Sequence, residues 1–462
     1  MQPVHTREEL RAADQAAIGE VGLDALVARA GHAVAVAALR LLGGGYGRRA
    51  VVVAGRGHNG DDGRVAAALL RRRGVRVAML DPARLPSQLP SCDLVIDAAY
   101  GTGFRGQYRA PATAALTPVL AIDVPSGLDA DSGAACEGAV RATHTVTMAA
   151  LKPGLLLGDG PALAGQVELA SIGIAVAPGD LWLVDDTDIA SWLPARDRDT
   201  NKWKSACVVV AGSAGMVGAA RFSASGALRA GSGMVRWCVP GAAPGSLPVS
   251  EAVALAVPAG DFADAVLQEL HRCRALVIGP GLGSAPKVVA SVRRLVAEAE
   301  VPVVVDADGL GALGSLERAA KVLAGRSVPA VLTPHDGEYE RLARTTEGGD
   351  GRPGADRLGA ARSLASRLGA IVLLKGSTTV VAAPDGRGLL VTSGSARLAT
   401  AGTGDVLSGV VGAFLARGMD PFRAAGLAAH VHGRAAGFGF AEGLLAGDLP
   451  ELVATVLSRA RD

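Results

Sequence analysis

Short runs of β-branched and aliphatic residues alternate with Ala- and Leu-rich stretches along most of the chain. The first half reads VVVA at 51 to 54, VRVAML at 75 to 80, LVIDA at 94 to 98, VLAID at 119 to 123 and THTVTM at 143 to 148, with a helix predicted near 63 to 73. This is the β-α-β rhythm of a parallel sheet covered on both faces. The pattern pauses between about 174 and 204, where DLWLVDDTDIASWLPARDRDTNKWK is polar and holds a proline. It restarts with ACVVVAG at 206 to 212, a long Ala/Gly helix from about 217 to 230, ALVIG at 275 to 279, VPVVVDA at 301 to 307, AVLTP at 330 to 334 and AIVLLKG at 370 to 376. TTVVAAP and LLVTSG then form an antiparallel pair, followed by a helix from Asp405 to about Arg417. Two α/β domains are therefore expected, 1–185 and 186–462.

Composition narrows the class. Hydrophobic residues make up 49% of the 462 positions and aromatic ones only 3%, so the cores must be built from Ala, Val and Leu. Lys and Arg total 46 against 44 Asp and Glu, and the longest like-charge cluster is Arg71, Arg72 and Arg73. No polyanion-binding surface is expected from that balance, nor a membrane partner, since no stretch of 18 apolar residues runs without a charge. His5, Arg7, Glu8, Glu9 and Arg11 precede any apolar run, unlike a signal peptide, so a soluble, cytoplasmic protein is expected; a homo-oligomer is a separate expectation. The five cysteines are scattered and never paired as CxxC, which suits small buried hydrophobes better than metal ligands.

Gly55, Gly57 and Gly60 match GxGxxG between a strand and a helix, and Asp81 ends the next strand. That pattern alone would suit a nicotinamide-dependent dehydrogenase. Asp61 and Asp62 follow at the helix start, where a pyrophosphate wants backbone N–H groups unopposed by carboxylates. Four blocks in order shift the reading: GRGHNGDDG, DAAYGTGFRG at 97 to 106, AIDVPSGLDADSG at 121 to 133 and LKPGLLLGDG at 151 to 160. Together they resemble the NAD(P)H-hydrate epimerase family, a Rossmann-like three-layer α/β domain. The resemblance implies that Asn59, Asp97 and Ser126 hold a potassium ion and that Asp123 is the acid/base carboxylate. It further implies that His58, Asn59, Gly60, Asp61, Asp62, Gly101, Thr102, Gly103, Phe104 and Asp123 meet the hydrated cofactor. His58 and Asp61 depart from the family loop, which has asparagine and glycine there, so a binding or scaffolding role for this half is the alternative.

In the second half AGTGD at 401 to 405 opens an apolar helix. Amides at a helix N-terminus can take developing negative charge, and Asp405 can accept a proton from an attacking hydroxyl. An aspartate helix cap is the other reading of those residues alone. GSAGMVGAA at 212 to 220, GPGLG at 279 to 283, DADGL at 306 to 310, TPHDGE at 333 to 338, KGSTTVV at 375 to 381 and LATAGTGDVLSG at 398 to 409 occur in one order. This set resembles the NAD(P)H-hydrate dehydratase branch of the ribokinase-like superfamily, a larger α/β domain. By that resemblance the hydrated cofactor rests on Ala219, Gly281, Gly283, His335 and Asp405, and ADP or ATP with Mg2+ rests on Lys375, Gly376, Ser377, Thr378, Thr379 and Gly404. Lys375 is pictured as a mobile cation beside short hydroxyl donors. Leu310 followed by Gly311, and Asn201 with Lys202, depart from the usual pattern.

The implied chemistry is repair. The ring hydroxyl of hydrated NADH or NADPH is phosphorylated and phosphate eliminated, while an epimerase interconverts the two hydrate epimers. A ribokinase-like small-molecule kinase is the competing reading, because it shares the GTGD chemistry.

Overall fold

The computed structural model describes residues 1–243, 251–344 and 351–460. The chain divides into two compact units, Gln2–Gly179 and a second that runs from Asp180 onward. The division falls ahead of the expected junction at 185/186, because Leu181–Leu183 is a strand of the second unit's sheet, paired with Gly388–Val391.

The first unit carries six parallel strands: β1 Arg49–Ala54, β2 Arg76–Leu80, β3 Leu94–Ala98, β4 Val119–Ile122, β5 His144–Met148 and β6 Gln166–Ala170. They lie in the order β2-β1-β3-β4-β5-β6. Successive residues of a strand point to opposite faces, so Ala50, Val52 and Ala54 enter one core while Val51 and Val53 enter another. Helices Leu23–Leu42 and His58–Arg72 cover the first face. Leu89, Tyr108 and Val140, from the irregular connections around β3 and β4, cover the second. Chain order reverses at β1 and β3, whose carboxyl ends open the crevice where α/β folds take ligands.

Among the described residues one helix, Leu23–Leu42, is long and apolar enough to cross a membrane by length and composition. It behaves here as a core helix. Leu26, Ala30, Val34, Ala37 and Ala38 are buried, and a Cβ on Gly31 would lie 2.5 Å from the Val65 side chain of helix His58–Arg72.

The second unit carries ten strands: β7 Leu181–Leu183, β8 Ala206–Val210, β9 Met234–Cys238, β10 Val253–Ala254, β11 Ala275–Ile278, β12 Val303–Val305, β13 Ala330–Leu332, β14 Ile371–Leu374, β15 Thr379–Ala382 and β16 Gly388–Val391. Their order is β7-β16-β15-β14-β13-β12-β11-β8-β9-β10. From β10 to β14 neighbours are parallel, and β15 pairs antiparallel with both β14 and β16. The loops opening at Gly212, Gly279, Asp306, Thr333 and Lys375 thus all leave carboxyl ends of parallel strands, which gathers most of the C-terminal motifs on one edge.

Helix Thr403–Ala416 lies buried against this sheet and against helix Val217–Arg229. Glycines allow the approach. A Cβ on Gly409 would sit 2.0 Å from the Ser223 carbonyl oxygen, and one on Gly226 would sit 2.5 Å from that of Val406. Gly409→Ala should therefore push the two helices apart and destabilise the unit by about 1–3 kcal/mol, despite the better helix propensity of alanine. Gly437→Ala, where a Cβ meets nothing within 4 Å, should be neutral or slightly stabilising. Paired denaturant unfolding curves check both.

Candidate active sites

In the first unit three loops meet at the carboxyl edge of β1, β3 and β4. Gly55 and Gly60 permit the tight turn into helix His58–Arg72, since a Cβ on Gly60 would lie 2.0 Å from the Gly55 carbonyl oxygen. The turn carries Asn59, whose Nδ2 donates to the Tyr100 carbonyl at 2.8 Å. That carbonyl also accepts from the Ser126 hydroxyl at 3.2 Å, and the same hydroxyl lies 2.7 Å from Asp97 Oδ1. The Ser126 amide donates to Asp97 Oδ2 at 2.8 Å. Asn59, Asp97 and Ser126 are thus brought together, with the Tyr100 carbonyl as an oxygen that the motifs did not single out. Burial pushes the Asp97 carboxyl up to about 6, against the opposing hydrogen bonds from Ser126 and Ala99.

Asp123 directly follows β4 and has φ +65°, one of the described non-glycine residues with positive φ together with Ala149 and Ala307. Each stands just beyond a strand at a candidate site, where such strain tends to be held by its surroundings. Lys152, which the sequence reading left without a role, is buried and holds Asp123 in place. Its ammonium donates to Asp123 Oδ1 at 2.5 Å, Thr147 Oγ1 at 2.9 Å and the Met148 carbonyl at 2.8 Å. Thr147 Oγ1 and the Met148 amide also donate to Oδ1, at 3.2 and 3.3 Å.

Asp62 and Asp14 complete the charged surroundings. Burial, then Asp123 and Asp61, push the Asp62 carboxyl up to about 8. Asp14, on helix Arg7–Val21, is also raised by burial; it feels Lys152, Asp123 and His58 as well. His58 and Asp61 stand in the first turn of their helix, and Asp61 pairs with Arg64 at 2.9 Å. In the second loop Gly101 packs beside the Asn59 side chain, the Thr102 carbonyl accepts from Arg7, Gly103 meets no neighbour at its Cβ position, and the Phe104 ring lies 5.2 Å from that of Tyr100.

In the second unit the amides of Gly404 and Asp405 open helix Thr403–Ala416; the first backbone bond into its opening turn runs from the Val406 amide to the Gly402 carbonyl. Burial pushes Asp405 up to about 7, helped by Asp306, Asp308 and Glu338 and opposed by Lys375. Lys375 is not the mobile cation expected. Its ammonium donates to buried Asp306 at 2.9 Å and lies 3.6 Å from Glu338. Burial pulls the lysine down, but Asp306, Glu338 and Asp405 outweigh it and leave the ammonium above its ordinary range.

Ala219 and Gly281 meet: a Cβ on Gly281, at φ +67°, would lie 2.9 Å from that of Ala219. The Gly283 amide donates to Asp308 at 2.8 Å. His335 caps helix Asp336–Ala343, its Nδ1 accepting from the Gly337 and Glu338 amides at 3.0 and 3.3 Å, while Glu338 reaches back to the His335 amide. Gly376 packs under Arg357, which donates to the Lys375 carbonyl at 2.8 Å. Ser377 is exposed, Thr378 buried and Thr379 begins β15. Behind the helix, buried His432 is pulled down to about 4 by desolvation.

Residues 207–459 match the family described as NAD(P)H-hydrate dehydratase, and residues 23–87 and 79–154 match the family described as YjeF-related protein N-terminus. A bifunctional NAD(P)H-hydrate repair enzyme of Mycobacterium tuberculosis is 37% identical over 92% of this chain and 91% of its own. That of Escherichia coli is 32% identical over 96% and 91%. The chain belongs to the bifunctional NAD(P)H-hydrate repair enzymes. A solved ADP/ATP-dependent NAD(P)H-hydrate dehydratase from Bacillus subtilis, co-crystallised with ATP and Mg2+, is 28% identical to this repair enzyme, with TM-score 0.50 over 60% of this chain and 98% of that one.

Sequence reasoning about this repair enzyme missed Lys152, Asp14 and the acceptors of Lys375. The one available signal for Lys152 was a lone cation between the apolar runs of MAALKPGLLL. Removing it leaves a half-buried carboxylate without its counter-charge. Lys152→Met should cost the first unit about 3 kcal/mol and slow epimer interconversion, measured by unfolding and by an epimerisation assay.

Proposed function

We propose that the two units carry out the two halves of one repair, the first interconverting the epimers of hydrated NADH and NADPH and the second dehydrating one epimer at the expense of ADP or ATP. The observation that carries the second half is Asp405, poised near neutrality beside the Lys375 ammonium and the open helix amides. A base with its proton affinity near working pH is suited to deprotonating a hydroxyl. The ring hydroxyl is a poor leaving group and phosphate a good one. Asp405 takes the hydroxyl proton, the Gly404 amide and Lys375 steady the transferred phosphoryl group, and elimination restores the ring double bond. Ala219, Gly281, Gly283 and His335 line the substrate side, and Gly376, Ser377, Thr378 and Thr379 the nucleotide side.

Among the described residues no group of three His, Cys, Asp or Glu side chains is arranged to hold a metal ion. Lys375 and the helix amides would face the nucleotide phosphates, and magnesium bound with the nucleotide would supply charge neutralisation there. In the first unit the Asn59, Asp97, Ser126 and Tyr100 oxygens form a hard-donor set that suits potassium, and among the described residues no cation pairs with the buried Asp97 carboxyl. Asp123 acts there as acid and base on the hydroxyl, with the two glycine-rich loops around the ring.

Asp405→Asn keeps the shape of the side chain, and since Gly402 and not Asp405 stands at the helix N-cap, with no side-chain cap bond to lose, folding should change by at most about 1 kcal/mol. Dehydration should fall roughly 100-fold to 10,000-fold while epimerisation persists. Recovery of reduced-nicotinamide absorbance from mixed epimers plus ADP or ATP measures both. In the wild type the base must be ionised, so dehydration should rise as pH passes through about 7 and level off above it. A rate already flat from pH 5 upward would remove Asp405 as the base. Epimerisation should also be faster in potassium than in sodium-only buffer, and equal rates would dismiss the potassium site.

A further inference from the structure

Inverting a carbon that bears both nitrogen and hydroxyl requires the oxygen to leave one face and return to the other. Departure needs a proton donor on the first face, and return needs a proton acceptor on the second. A carboxyl fixed in one place serves one face. Asp123 is fixed: Oδ1 takes Lys152, Thr147 and the Met148 amide, the residue stands at φ +65°, and Oδ2 has no partner among the described residues.

We propose that Asp62 is the second acid/base group of the epimerase site, serving the ring face opposite the one reached by Asp123 Oδ2. The proposal rests on the reading of Asp123 given above. Asp62 is only 9% exposed and has no hydrogen-bond donor among the described residues. It follows the glycine loop at the same sheet edge, and the charged groups it feels, Asp123 and Asp61, are both acidic. A buried carboxyl in such company keeps its proton, whereas Asp123 has an ammonium on Oδ1. Two carboxyls held in such different surroundings are suited to the divided labour of acid/base chemistry. Asp14 also feels Asp123 and Lys152 but is exposed, so it is the weaker choice.

The steps balance. Asp62 gives its proton to the hydroxyl oxygen as the C–O bond breaks; the ring nitrogen lone pair becomes the second bond of C=N+, and water departs. Water adds to the opposite face, the C=N pair returns to nitrogen, and the surplus proton passes to Asp123 Oδ2. The other epimer runs the same steps with the roles exchanged, and proton exchange with solvent resets the pair.

The test uses the full chain, single purified hydrate epimers and 18O-labelled water, comparing wild type with Asp62→Asn and Asp123→Asn. Each variant should epimerise at least about 100-fold more slowly. Each should still exchange label into one epimer without inversion, through its remaining carboxyl, and the exchanged epimer should differ between the two. Near wild-type epimerisation by Asp62→Asn, with Asp123→Asn inactive, would overturn the inference and leave the reading of Asp123 standing. Near wild-type rates in both would overturn that reading itself, and label entering the same epimer in both would overturn the opposite-face assignment. Should Asp62→Asn lower the melting temperature enough to obscure its rate, Asp62→Ser, smaller and also without an acidic proton, is expected to show the same loss and the same label pattern, and a normal rate there would equally overturn the inference.

Discussion

Burying an ammonium costs several kcal/mol unless its N–H groups find acceptors and its charge a partner. Both units meet that demand at the carboxyl edge of a parallel sheet. Lys152 distributes its donors over Asp123, Thr147 and the Met148 carbonyl, and Lys375 is held by Asp306 and Glu338. In each case the lysine lies beside a carboxyl that does chemistry in the proposed function, and the two clamps act differently. Lys152 bonds Asp123 directly and spends one of its oxygens. Lys375 bonds Asp306 and reaches Asp405 only through space, so burial and the acidic neighbours prevail there and Asp405 stays near neutrality.

The rest of each unit serves to bring these charges close without water. Strands buried on both faces leave only their ends for polar groups, and consecutive parallel strands deliver their following loops to one edge. Close approach then depends on residues without side chains. Gly60 lets the helix carrying Asp62 turn over the Gly55 carbonyl, and the Gly409 and Gly226 contacts seat the helix carrying Asp405 against its neighbour. The positive φ values at Asp123, Ala149 and Ala307 show the backbone taking up strain where it leaves the sheet.

Much of this was legible in the chain before any coordinates. The β-branched runs at 51–54, 94–98, 206–210, 275–278 and 371–374 form strands because nothing but a two-sided sheet buries such continuous apolar segments, and the ordered glycine and aspartate blocks fall at their ends. Gln166–Ala170, Leu181–Leu183, Met234–Cys238 and Val253–Ala254 escaped, and for two of them the physical reason is plain. Gln166–Ala170 is a largely exposed edge strand, so its sequence carries no apolar run, and Met234–Cys238 has Arg236 in its middle, whose charge is met by Glu269 at 3.0 Å. The long helix Pro421–Phe438 was hidden because its small residues are apolar nearly all round, which blurs a helical period.

Local residue order by itself determined the two-unit α/β architecture and the positions of Asp97, Asp123, Lys375 and Asp405 at strand or helix ends, because those follow from periodicity and from glycine and aspartate preferences acting over a few residues, while the family was legible only through the resemblance of the ordered motif blocks. Which charges meet was decided only by the tertiary structure. Lys152 stands 29 residues from Asp123 and Lys375 stands 69 from Asp306, and no local rule links them. Proton affinities follow the same division: Asp61 and Asp62 are adjacent and identical in type, yet the sheet buries one beside Asp123 and leaves the other at the surface with Arg64, since burial and charge proximity are properties of the packed fold.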